Sequence, residues 1–180
     1  MAVKKIGIYG GTFDPIHNGH VKVIVQLLSR GVIDQIILVP AGQPLLRESA
    51  PIASGLDRLQ MCKLATSQLA GVVVSDLEIR RTGPSYAIDT VIEIQSQNPG
   101  AELFWIIGSD AYEKIDSWHR ASELKEIVSF IVIERPGFGD GLDIAAIDIS
   151  ATEIRHSQDL SSVPFEVRNY INEKKLYASK

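Results

Sequence analysis

The chain has 180 residues, 45% hydrophobic and 22% charged, a size and balance that suit one soluble globular domain with a substantial core. A formal net charge of −4 argues against the broad basic surface of a general nucleic-acid or anionic-membrane binder. The single cysteine, Cys62, excludes an internal disulfide or a cysteine metal cluster, and its setting in the run Arg58 to Leu64 predicts a small core residue.

Short β-like apolar runs alternate with longer helical ones. Ile6 to Tyr9 predicts a strand; Val21 to Leu28 predicts a helix that Gly31 is placed to end. Ile36 to Val39 predicts a second strand, and Leu56 to Leu69 a helix with Ser54 as its cap. Val72 to Val74 is a third strand, and Pro84 opens a helix running to about Gln97. Leu103 to Ile107 and Phe130 to Ile133 are the fourth and fifth strands, and Ile144 to Ile147 a short sixth. From Thr152 onward the pattern is helical. Strands apolar on both faces and alternating with helices predict an α/β fold. It is a doubly wound, mostly parallel, Rossmann-like sheet with helices on both faces and a C-terminal helical segment. No repeat or linker divides residues 1–180, so a single domain is expected. Lys4-Lys5 precedes only a short apolar stretch, and no run approaches the roughly 20 residues of a membrane span. A cytoplasmic protein with neither a membrane nor a nucleic acid as partner is expected.

In such a sheet ligands sit beyond the carboxyl ends of the strands. The informative residues lie there. After the first strand comes Gly10-Gly11-Thr12-Phe13-Asp14-Pro15-Ile16-His17-Asn18-Gly19-His20. Paired glycines let a phosphate approach the backbone, and the helix that follows offers free N–H groups and a positive dipole end. His17 and His20 are three apart and share a face of its first turn, where both could donate to phosphate oxygens. The spacing is neither Gly-x-x-x-x-Gly-Lys-Ser/Thr nor Gly-x-Gly-x-x-Gly. Taken alone it also fits a glycine turn with two surface histidines, or a pair of metal ligands.

The second cluster is Ile149-Ser150-Ala151-Thr152-Glu153-Ile154-Arg155. Ser150 with Glu153 spells a capping box. The same helix start could also hold an anion through the Ser150 and Thr152 hydroxyls and the Arg155 guanidinium.

The eleven positions from Gly10 to His20 are similar to the opening signature of bacterial nicotinate-nucleotide adenylyltransferases, members of the HxGH nucleotidyltransferase superfamily. Ile149 to Arg155 is similar to the family's ISxTxIR motif. Asp76 to Thr90, Phe104 to Arg120 and the ending Val163 to Tyr177 also resemble it, so the likeness spans nearly the whole chain. It implies a single nucleotidyltransferase domain over residues 1–180. Thr12, His17, His20 and Arg155 would be catalytic. Gly10, Gly11, Phe13, Gly19, Gly108, Asp110, Ile149, Ser150 and Thr152 would join them in binding ATP. Arg47, Ser85, Tyr86, Trp118 and Arg135 would face the acceptor, with Trp118 stacked on a pyridine ring. Without the likeness, Trp118 reads as a packed amphipathic residue, Asp110 as a helix cap, and Ser85-Tyr86 as an ordinary helix start. Three positions depart from the family pattern, all on the acceptor side. Pro44-Leu45-Leu46-Arg47 lacks its usual histidine, Ala87 replaces a threonine, and His119 replaces the tyrosine of some members. The stretch between Pro136 and Ile149 is also short.

The reaction so implied is attack of an acceptor phosphate on the α-phosphorus of ATP, releasing pyrophosphate. Mg²⁺ would be bound mainly through the ATP phosphates. The expected acceptor is nicotinate mononucleotide. Nicotinamide mononucleotide, phosphopantetheine and a non-catalytic ATP sensor are the alternatives.

Overall fold

The computed structural model describes residues 3–44, 50–134, 141–143 and 149–178. Five strands form one sheet: β1 (Lys5–Gly11), β2 (Gln35–Pro40), β3 (Val72–Val74), β4 (Glu102–Gly108) and β5 (Ser129–Ile133). Their order is β3-β2-β1-β4-β5, and every pairing is parallel. The doubly wound architecture is therefore as expected. The sixth strand expected at 144–147 lies outside the described residues.

Both faces of the sheet are covered, and the strands show why their sequences are continuously apolar. On β2, Ile36 and Leu38 enter one core while Ile37 and Val39 enter the other, the two-residue period of a strand. The first core takes α1 (Asn18–Ser29), α2 (Gly55–Thr66), α7 (Ala151–Ser157) and α8 (Phe165–Lys174) through residues such as Ile24, Met61, Ile154 and Val167. The second takes α3 (Leu77–Arg80), α4 (Ala87–Gln97) and α6 (Ala121–Ile127) through Leu77, Val91 and Leu124. Gly7 of β1 carries no side chain because a Cβ there would lie 2.8 Å from the Ile106 side chain.

The helix ends follow the sequence signals. Gly31 has φ +64° just past the α1 cap. Ser54 caps α2: its hydroxyl accepts the Asp57 N–H at 3.1 Å and donates to the Asp57 carboxylate at 2.6 Å. One start differs. The α4 helix begins at Ala87, not at Pro84, because the backbone and hydroxyl of Ser85 are drawn off to the turn after β2. The short α3, α5 (Ser109–Tyr112) and α6 had no legible signal, having too few turns to show a period.

Cys62 is fully buried in the first core, and burial pushes its thiol far above the ordinary range. It is expected to be silent to an aromatic disulfide reagent in native buffer and to react completely in guanidinium. Native labelling at the rate of a free thiol would contradict this packing.

Candidate active site

Strand order reverses at β1, whose neighbours β2 and β4 lead to opposite edges, so a crevice opens between β1 and β4 at their carboxyl ends. There the structure has a cleft of about 930 Å³. Gly10, Gly11, Thr12 and Phe13 from β1 and its following loop form one part of it. The glycines have a packing reason as well as openness to a ligand. A Cβ on Gly11 would sit 2.8 Å from the Phe13 ring, and one on Gly10 would sit 2.9 Å from the Trp105 ring. Phe13 itself holds φ +51°, a left-handed conformation uncommon for a bulky residue.

His17 is the N-cap of α1 and is 3% exposed; its ring stacks on His20 with centroids 3.7 Å apart and planes at 27°. The His17 N–H donates to His20 Nδ1 at 3.2 Å. An accepting Nδ1 carries no proton, so the proton of His20 sits on Nε2. The backbone thus fixes His20 as a hydrogen-bond donor through Nε2. Phe13 packs edge-on against the same ring at 5.0 Å.

Asp14 locks this loop from behind. It is 1% exposed. Its carboxylate accepts the N–H groups of Ile52 and Ala53 at 2.8 and 3.1 Å and the Tyr177 hydroxyl at 2.7 Å. Its backbone carbonyl accepts Arg155 Nη1 at 2.6 Å. Arg58, 1% exposed, donates to the Thr12 carbonyl at 2.7 Å and to the Ala53 carbonyl at 3.3 Å. Tyr177 is held protonated, chiefly by burial and then by the charge of Asp14.

The start of α7 forms a second wall, with Ile149, Ser150, Ala151 and Thr152 at the cleft. The Ser150 hydroxyl accepts the Glu153 N–H at 3.3 Å, the serine half of the capping box. Arg155 stands behind this wall: besides Asp14 it donates to Thr152 Oγ1 at 3.1 Å. Its buried Nε has no hydrogen-bond partner among the described residues.

A third wall comes from the other face of the sheet. Gly108 caps α5, and Gly108 and Asp110 line the cleft. Trp118 meets Trp105 edge-on at 6.2 Å, and Tyr86 stacks on His119 at 4.1 Å; all four rings line the cleft. Below them Glu78 is 6% exposed, and Thr90 Oγ1 donates to its carboxylate at 2.6 Å. Burial raises the Glu78 carboxyl above its usual range, partly opposed by hydrogen bonds from Thr90 and Ser85.

The family model described as cytidylyltransferase-like matches residues 8–157. The nicotinate-nucleotide adenylyltransferase of Bacillus subtilis (strain 168) is 33% identical over 189 residues, covering 98% of this chain and 100% of that one. The chain belongs to the nicotinate-nucleotide adenylyltransferase family. Among solved structures, Plasmodium falciparum nicotinic acid mononucleotide adenylyltransferase complexed with NaAD superposes with a TM-score of 0.80 at 23% identity, over 97% of each chain. The same protein complexed with APC gives 0.79 at 22% identity, again over 97% of each. This likeness shows that the fold is shared.

Most of the adenylyltransferase positions foreseen in the sequence meet at this one cleft: the glycine loop, both histidines, the α7 start, Gly108 with Asp110, and Ser85, Tyr86 and Trp118. Two do not line it. Gly19 is buried within α1, and Arg155 lies in the layer behind. Arg47 and Arg135 fall outside the described residues. Sequence reasoning missed Arg58, Glu78 and the Asp14–Tyr177 contact. The usable signal was an arginine and a glutamate flanked by apolar residues, in Leu56 to Cys62 and Leu77 to Ile79.

Proposed function

We propose that this adenylyltransferase joins the adenylyl group of ATP to nicotinate mononucleotide, forming nicotinate adenine dinucleotide and pyrophosphate in NAD biosynthesis. The observation that carries the reading is a single cleft that gathers the stacked His17–His20 pair and the α7 start from one face of the sheet, and Tyr86 and Trp118 from the other. A triphosphate and an aromatic acceptor then share one crevice. The activity named for the Bacillus subtilis relative supports it across the full chain.

The reaction is a direct displacement. An oxygen of the acceptor phosphate forms a bond to the α-phosphorus, the bond from that phosphorus to the β-bridging oxygen breaks, and the electron pair leaves with pyrophosphate. No covalent enzyme intermediate is required. Such a transfer is mainly positioning and charge stabilisation. The His20 Nε2–H, His17 and Thr12 address the phosphates from the loop side. Ser150 and Thr152 address them from α7, and Arg155 supplies positive charge from the layer behind. A magnesium ion held mainly by the ATP phosphates would supply charge neutralisation there, while the loop and α7 donors position the phosphate oxygens. Gly108 and Asp110 meet the adenosine. Tyr86 and Trp118 enclose the pyridine ring.

The test is pyrophosphate release from ATP and Mg²⁺ with nicotinate mononucleotide, nicotinamide mononucleotide and phosphopantetheine in parallel. Preference for nicotinate mononucleotide is the expected result. Preference for another acceptor would overturn the named substrate while keeping adenylyl transfer. Tight ATP binding with no release from any of the three would overturn the enzyme reading.

A further inference from the structure

The hydroxyl of Ser85 has one proton and two acceptor sites. It accepts the N–H groups of both Gly42 and Gln43 at 3.0 Å, which leaves its one proton to donate, and its dipole helps hold down the buried carboxyl of Glu78. Both of its acceptor sites are therefore used inside the protein. The Ser85 N–H in turn donates to the Gln43 carbonyl at 3.1 Å. Gly42 lies so close to the Glu78 carbonyl that no Cβ would fit between them. The second lone-pair demand on Glu78 is met by Thr90, which also accepts Arg81 Nη1 at 3.3 Å.

These bonds tie two walls of the cleft together. Ala41 and Pro44, on either side of the anchored turn, line it. Tyr86, directly after Ser85, lines it too and is the N-cap of α4. We infer that Glu78 and Ser85 are positioning residues for the acceptor: Glu78 orients the Ser85 hydroxyl, and that hydroxyl sets the turn after β2 against Tyr86. Ser85 then acts on the acceptor through the backbone it holds. The inference deepens the proposed reaction and rests on it for its kinetic readout.

The effect should divide unevenly between substrates, because Tyr86 packs on the face of the sheet opposite α1 and α7. Ser85→Ala is expected to raise the KM for nicotinate mononucleotide by about tenfold, the scale of one lost hydrogen-bonded anchor, with the KM for ATP little changed. Glu78→Leu, similar in size and unable to accept, should match it. Glu78→Gln keeps an accepting oxygen and should recover most of that loss. The double variant Ser85→Ala/Glu78→Leu should lose little more than either single, since both break one chain of bonds. Amide hydrogen exchange at Gly42 and Gln43 reads the same anchoring with no substrate present, and should accelerate in Ser85→Ala and Glu78→Leu but not in Glu78→Gln. Unchanged exchange, equal rises in both KM values, or fully additive losses would each overturn the inference. A wild-type protein that ignores nicotinate mononucleotide would overturn the proposed reaction instead, and exchange would still decide the anchoring.

Discussion

His20→Asn is expected to lower kcat by roughly 10²–10³ while the protein keeps its fold and its melting temperature. The His20 Nδ1 is occupied by the His17 N–H at 3.2 Å, so the only donor the ring can aim at a phosphate is Nε2–H. The asparagine carbonyl oxygen can take the place of Nδ1 and keep the first turn of α1 braced. It cannot replace Nε2, which stands farther out on the ring. A donor aimed at charge that develops during transfer acts on kcat more than on KM. Single-turnover measurement with ATP and nicotinate mononucleotide reads the chemical step. Full turnover in His20→Asn would remove His20 from the reaction. A loss in His20→Ala alone would make its part structural.

Asp14→Ala is the second large effect, and it falls on stability. The carboxylate satisfies the N–H groups of Ile52 and Ala53 and the hydroxyl of Tyr177, with Arg155 Nη1 3.9 Å away. Removing it leaves two N–H groups, a hydroxyl and a guanidinium that is 8% exposed without that partner. Breaking a buried charge pair costs about 3–5 kcal/mol. For a chain of this length each kcal/mol moves the melting temperature by roughly 2–4 °C, so a fall of about 6–20 °C is expected by thermal melting. Tyr177→Phe removes one bond of the set and should cost about 1 kcal/mol. A melting temperature unchanged in Asp14→Ala would show that water replaces the carboxylate and that the cluster is not buried in solution.

The sheet was legible because each strand is apolar on both faces and separated from the next by helical periodicity. The ligand end of the sheet was legible because glycines, hydroxyls and histidines gather where the strands stop. What stayed hidden were interactions at long sequence separation. Arg58 sits on a helix whose pattern does not mark it as buried, and only the fold puts its guanidinium under the Thr12 carbonyl, 46 residues away. Ser85 reads as a helix start beside Pro84, yet its hydroxyl is spent 42 and 43 residues away on Gln43 and Gly42. Tyr177 reads as the end of the C-terminal helical segment, and its partner lies 163 residues earlier. Short helices were hidden for a local reason: one turn of helix has no period to detect.

The Asp14–Tyr177 contact has a consequence for how the protein is made. Synthesis runs from the amino end, and domains gain their structure as the chain emerges. The loop at residue 14 leaves the ribosome early, but its hydroxyl partner follows 163 residues later. Until then one oxygen of the Asp14 carboxylate lacks that donor. The loop at Asp14 is thus braced by a residue translated 163 positions later, and a nascent chain with most of its sheet already assembled still waits for that donor.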